Sequence, residues 1–136
     1  MAFVHGKNSV LHYGGVDLTT FLTDIGEDLS RDTSDTTAMG SEAKTNVAGT
    51  YGGSWSLSGW FDPTETTGPH AVLRAAFLAG TDAEVEYGPA GDTTGLVKET
   101  GQAKVTAYAA TSSVEDTVAF TATLTLNGPL VPDEWA

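Results

Sequence analysis

Between Thr117 and Leu126 the side chains alternate in character. Val118, Phe120, Ala122, Leu124 and Leu126 fall on one side of an extended chain, and Thr117, Thr121, Thr123 and Thr125 fall on the other. A period of two puts successive side chains on opposite faces of a pleated strand, and β-branched residues suit a half-buried sheet surface. A helix would wrap the same apolar residues around its whole circumference. The pattern recurs where Trp55, Leu57, Gly59 and Phe61 oppose Ser54, Ser56, Ser58 and Trp60, and again where Val105, Ala107 and Ala109 oppose Lys104, Thr106 and Tyr108. Several strands with one apolar and one hydroxylated face require a second layer to cover the apolar side.

Turn residues punctuate these runs: Gly14-Gly15 between Val10 to Tyr13 and Val16 to Leu18, Gly52-Gly53 before the Trp55 strand, Pro89-Ala90-Gly91-Asp92, and Asn127-Gly128-Pro129. One segment departs from the alternation. Pro69 stands at a first helical position, Gly80 at an end, and Leu73, Ala76, Phe77 and Gly80 follow at i, i+3, i+4 and i+7, which predicts a short helix with one apolar stripe. The expected fold is mainly β, a β-sandwich or partly closed barrel of about seven or eight strands with one short flanking helix.

The 136 residues suit a single domain, 1–136, able to bury one core. A Thr- and charge-rich strand, Glu27 to Thr37, runs into a small-residue connector, Ala38 to Thr50, before the Trp55 strand. Hairpin loops usually hold about two to five residues, so a connector this long implies a role of its own. Ala38, Met39, Gly40, Ala43, Val47, Ala48 and Gly49 give it little to bury alone, and it is expected to order against a partner.

Eighteen acidic against six basic residues give a net charge of −12, which disfavours gripping DNA backbones or anionic membranes. No segment has the length of a membrane span, and the amino-terminal residues lack the basic and apolar regions of a signal peptide, so the chain reads as made in the cytoplasm. There is no cysteine to build a disulfide or a thiolate metal site. His5, His12 and His70 have no zinc-site spacing, and packing or surface roles are preferred for them. Glu27, Asp28, Asp32, Asp35 and Glu42 are the densest carboxylates, but they lack the calcium-loop pattern and scatter over both faces of a strand. No nucleophile elbow or phosphate loop is present, so neither an enzyme nor a cofactor is expected. Tyr51, Trp55 and Trp60 admit a sugar-stacking platform, the basis of an alternative reading as a monomeric carbohydrate- or cell-wall-binding module. Packing in a core or interface is the preferred role for these aromatics.

The order and spacing of five segments resemble the major tail tube proteins of long-tailed, siphovirus-type bacteriophages, particularly those of actinobacterial phages. They are Val16 to Leu22, Leu29 to Thr37, Gly40 to Lys44, Ala48-Gly49, and Ser54 to Asp62. The similarity continues more weakly through Ala71 to Ala79, Val85 to Pro89, and Val118 to Phe120, and so covers nearly the whole chain. The resemblance implies a virion structural protein that self-assembles into stacked hexameric rings, the inner sheets joining into one continuous barrel around a bore that conducts DNA into the host cell. It implies tape-measure, tail-tip and tail-terminator proteins as partners, the virion tail as location, and no membrane contact. By position, the segment at about 35–50 is the connector that reaches a neighbouring ring, with Asp35, Thr36, Thr37, Met39, Glu42, Lys44 and Val47 as candidate interface residues. Terminal arms are expected at about 1–7 and 129–136. The hydroxyls of Ser54, Ser56, Ser58, Thr121, Thr123 and Thr125 suit a non-adhesive bore wall and are the candidate lumen-facing residues.

Overall fold

In a computed structural model, which describes residues 5–40, 42–62 and 68–136, the alternating runs become strands of one antiparallel sheet. The strands are β1 (Val10–Tyr13), β2 (Val16–Asp17), β3 (Leu22–Asp35), β4 (Asn46–Trp60), β5 (Ala83–Gly88), β6 (Val97–Ser113), β7 (Asp116–Leu126) and β8 (Val131–Glu134). Their order is β2-β1-β5-β6-β7-β4-β3, with β8 added beside β6.

Strand β6 ties the architecture together. Its first part pairs with β5 (Glu99 to Ala103) and β8 (Val97 to Thr100), and its remainder, from Ala103 to Ser113, pairs with β7. A register shift between Val105 and Ala107 marks the bend, the usual device by which one strand passes between two layers. One layer is therefore β2-β1-β5 with the start of β6 and β8, the other the end of β6 with β7, β4 and β3. Between them lies the core, in which Leu11 and Tyr13 of β1 share one cluster with Trp55 and Leu57 of β4 and Phe120, Ala122 and Leu124 of β7. Tyr13 reaches across β5 to donate its hydroxyl to the Ala103 carbonyl at 3.2 Å. The sheet does not close on itself, and both β2 and β3 pair on one side only among the described residues.

Helix α1 (Pro69–Ala79) begins at Pro69 and stops at Gly80, whose left-handed conformation (φ 65°) suits a residue without Cβ and whose N–H bonds the Ala76 carbonyl. It lies on β6. Its buried residues are Pro69 and Leu73, flanked by half-buried Val72 and Ala76, so the stripe lies on the expected face but one turn nearer the helix start, and Phe77 remains 45% exposed.

Two further expectations are corrected. The strands around the connector run on through Asp35 and from Asn46, because Thr33, Ser34 and Asp35 pair with Ala48, Val47 and Asn46. Asp35 and Val47 are thus ladder residues, and the connector shrinks to 36–45. Its mouth is closed too: Thr36 N–H donates to the Thr45 carbonyl, Thr45 N–H to the Thr37 hydroxyl, and Thr37 N–H to the Asp35 carboxylate, all within 2.9 Å. The carboxy-terminal arm is not free either, since β8 pairs with β6 and Trp135 is 9% exposed over β5, where a Cβ on Gly88 would lie 2.6 Å from its Nε1. The indole edge meets the His12 ring, and Lys98 Nζ lies 4.8 Å from the indole centroid, a cation–π contact that fastens the chain end. Of the amino-terminal arm, residues 1–4 lie outside the described residues, and Gly6–Asn8 form a single 3-10 turn.

Candidate assembly site

The candidate residues fall on two surfaces. The first is a hydroxylated face. In the β4–β7 ladder Ser54 stands opposite Thr125, Ser56 opposite Thr123 and Ser58 opposite Thr121. The intervening Trp55, Leu57, Ala122 and Leu124 point into the core, so all six hydroxyls share the opposite face. β3 and β6 extend it. Asp24 and Asp28 lie opposite Ser58 and Ser54, and the Thr106 hydroxyl bonds that of Thr125 at 2.8 Å. This face therefore combines short hydroxyl side chains with carboxylates, and no large apolar side chain interrupts it between Ser54 and Ser58.

The second surface is the β3–β4 hairpin. From Ser30 to Asp35 and from Asn46 to Tyr51 every residue is exposed, so the ribbon leaves the core behind and projects. Glycines allow the two strands this close approach. A Cβ at Gly49 would sit 3.1 Å from the Asp32 carbonyl oxygen, and one at Gly53 would run into the Leu29 side chain. A register shift between Arg31 and Thr33 re-aims the ribbon, and the Arg31 guanidinium braces it by bonding the Gly49 carbonyl at 2.9 Å and lying 4.8 Å over the Tyr51 ring. At the tip Met39 is fully exposed, and Thr36, Thr37, Glu42 and Lys44 are exposed beside it. Candidate interface residues Asp35 to Val47 are thus gathered on one projecting element.

Tyr51, Trp55 and Trp60 do not form the shared platform of the alternative reading. Trp55 is 1% exposed and its Nε1 donates to Glu27 at 3.0 Å, so it belongs to the core, while Trp60 ends β4 nine residues beyond Tyr51 and has the opposite strand parity.

One feature escaped the periodicity. Glu27 turns inward from β3, accepts from Trp55 Nε1 and faces Glu99 of β6 across the layers. Burial, then the neighbouring Glu99 carboxyl, raise the Glu27 carboxyl to about 7, while the Trp55 N–H pulls in the other direction. Glu99 Oε2 is buried with no hydrogen-bond partner among the described residues, a deficit that a proton on Glu27 would relieve. Tyr87 of β5 closes the cluster, its hydroxyl raised by burial and by both carboxylates. Because the folded protein holds a proton on Glu27 that the unfolded chain, at an ordinary 4.5, releases, this contribution to stability is full below about pH 4.5 and is lost as pH rises through about 7. The melting temperature of the unassembled chain is expected to fall between pH 5 and pH 8. Glu99→Gln, whose amide donates to an ionised Glu27, is expected to flatten that slope in a calorimetric pH series. An unchanged slope would show that the fall does not run through Glu99.

No protein-family model matches the chain, and no curated protein matches it. Solved structures do. The tail of an empty gene transfer agent particle, refined with C6 symmetry, superposes with TM-score 0.77 at 18% identity, covering 95% of this chain and 98% of that one. The SPP1 tail tube superposes with TM-score 0.78 at 11% identity, covering 97% and 80%. A sheath/tube terminator structure of an extracellular contractile injection system gives 0.74 at 14%, covering 98% of both. The chain has the tail-tube fold. The likeness runs over 95–98% of the chain, so the fold is shared over nearly its whole length.

Proposed function

We propose that this chain is the repeating subunit of a bacteriophage-type tail tube, six copies forming a ring and rings stacking head to tail around a channel for DNA. The observation that best supports this is the tail-tube fold over 95% or more of the chain, shared with assemblies of which one was refined with six-fold symmetry. The protein's role is then structural rather than enzymatic, and its place is the virion tail after synthesis in the host cytoplasm.

The physics of the subunit supports the same reading. A 14-residue strand with an open edge, β3, is an aggregation hazard in a monomer, and pairing of edges around a ring removes it. The Ser/Thr face of β4 and β7 is the best candidate for the bore. Its hydroxyls offer phosphates only weak contacts, and Asp24 and Asp28 repel them; six copies at −12 each carry −72 per ring. The β3–β4 hairpin reaches the next ring, a heterologous contact that does not close and so propagates a filament. Tape-measure, tail-tip and tail-terminator proteins set the length and ends of such a tube. Negative-stain electron microscopy of the purified protein at high concentration, or with a tail-tip or tape-measure partner, is expected to show rings or tubes with a stain-filled channel. Persistent monomers beside those partners would refute the assignment.

A further inference from the structure

The hairpin needs a receptor, and the same strand that carries its tip leads to one. At the other end of β3 a partly enclosed hollow of about 430 Å³ is lined by Leu22, Ile25, Thr19, Thr23, Lys7 and Asp24 among others. Resting on the stacking role proposed for the hairpin, we infer that the tip of one subunit's β3–β4 hairpin seats in this hollow of a second copy in the adjacent ring.

Geometry is the first argument. β3 begins at Leu22 and ends at Asp35, so at about 3.3 Å per residue the hollow and the tip lie roughly 40 Å apart along one strand direction. A shift of one copy by about that length brings tip to hollow, and the same shift can be repeated without limit. Two other hollows, which involve Arg31, Tyr51, Leu29 and Leu130, flank the hairpin's own stem and cannot meet its tip by such a shift.

Chemistry is the second. The volume lies in the range of sites that enclose a small molecule, enough for a methionine side chain with part of its loop. Leu22 and Ile25 are only half buried and leave apolar surface there, while Met39 is fully exposed and conforms readily to irregular spaces. The charges match in sign as well: Lys7 faces a tip that carries Glu42, and Asp24 one that carries Lys44. Neither lysine forms an ion pair among the described residues of its own chain. In a chain of net charge −12, opposite-sign pairs at the contact set register against general repulsion.

The absence of cysteine makes the test clean. Assembled tubes of a Met39→Cys, Thr23→Cys double variant, treated with a short bis-maleimide, are expected to give a ladder of linked multimers on a denaturing gel. Each single variant, and a Met39→Cys, Phe77→Cys pair placing the second thiol on the helix, should stay largely monomeric. Tubes that yield no ladder for the first pair overturn the assignment of the hollow while leaving the stacking role intact. Parent protein that forms no tubes overturns the stacking role and this assignment with it. A second measurement covers a double variant that fails to assemble. Glu42→Lys is expected to raise the concentration needed for tubes at least tenfold, and Lys7→Glu in the same chain to restore it; absence of rescue counts against the pairing.

Discussion

Protein carrying Met39→Asp is expected to unfold at the parent's temperature and to form no tubes under conditions in which the parent assembles. The first half follows from placement: Met39 lies at the tip of a hairpin with no core beneath it and is fully exposed, so the subunit loses no contact. The second follows from what assembly would bury. Removing a large apolar side chain from water contributes about 1.5–3 kcal/mol per copy, and in a ring six copies contribute together. An aspartate would forgo that gain and bring a carboxylate into a half-apolar hollow, where burial without a partner costs several kcal/mol more. Scanning calorimetry on the unassembled variant and electron microscopy at matched concentration check the two halves separately. If the variant assembles as readily as the parent, stacking does not run through Met39. The carboxy-terminal segment is a poor substitute, because β8 and Trp135 are already committed to their own subunit, which leaves the amino-terminal residues as the next place to look.

The opposite signature is expected of Trp55→Ala. Trp55 is among the largest fully buried side chains, packed in the cluster that joins both layers. Truncating a buried tryptophan costs about 3–5 kcal/mol through lost transfer energy and the cavity left behind. The change also strips Glu27 of its N–H donor in a low-dielectric setting. For a domain of this size 1 kcal/mol moves the melting temperature by roughly 3–5 °C, so a fall on the order of 10–20 °C is expected. Trp60→Ala, at a side chain 51% exposed, is expected to cost about 1 kcal/mol or less. A reversed order of the two effects would mean that β4 is in the wrong register, since a slip of one residue exchanges its two faces.

That contrast between two tryptophans five residues apart was legible before any coordinates. Trp55 falls in phase with Leu57, and Trp60 in phase with Ser56 and Ser58. Wherever period-two alternation is strong and unbroken, the sequence by itself determined strand, face and core: β7 and the second half of β4. Strong local chemistry did the same for the helix, bounded by Pro69 and Gly80, and for the Gly14-Gly15 turn. In these places backbone conformation and burial follow from neighbours in sequence, and tertiary contacts only confirm them. In β6 the strand was legible but the face was not, because the bulge after Val105 leaves Ala107 and Ala109 exposed and turns Tyr108 to the core, where it stacks on Phe120.

Elsewhere the decision belonged to partners distant along the chain. Residues 46–50 read as connector because glycine, alanine and asparagine have little strand propensity of their own; only the ladder to β3 makes them a strand, and the small side chains are there so that the ladder can close. The carboxy-terminal segment read as a free arm because Val131–Glu134 has no alternation, yet β6 supplies a ladder and β5 a seat for Trp135. How far along the helix its stripe stays covered was set by where β6 runs beneath it, leaving Phe77 half out. The Glu27–Glu99 pair had no trace in the sequence at all, since two carboxylates 72 positions apart meet only because β6 bends from one layer to the other and brings its first turn of residues over β3. Periodicity encodes which face of a strand is buried; which strands then face each other is set by the path of the sheet, and that path is a property of the whole chain.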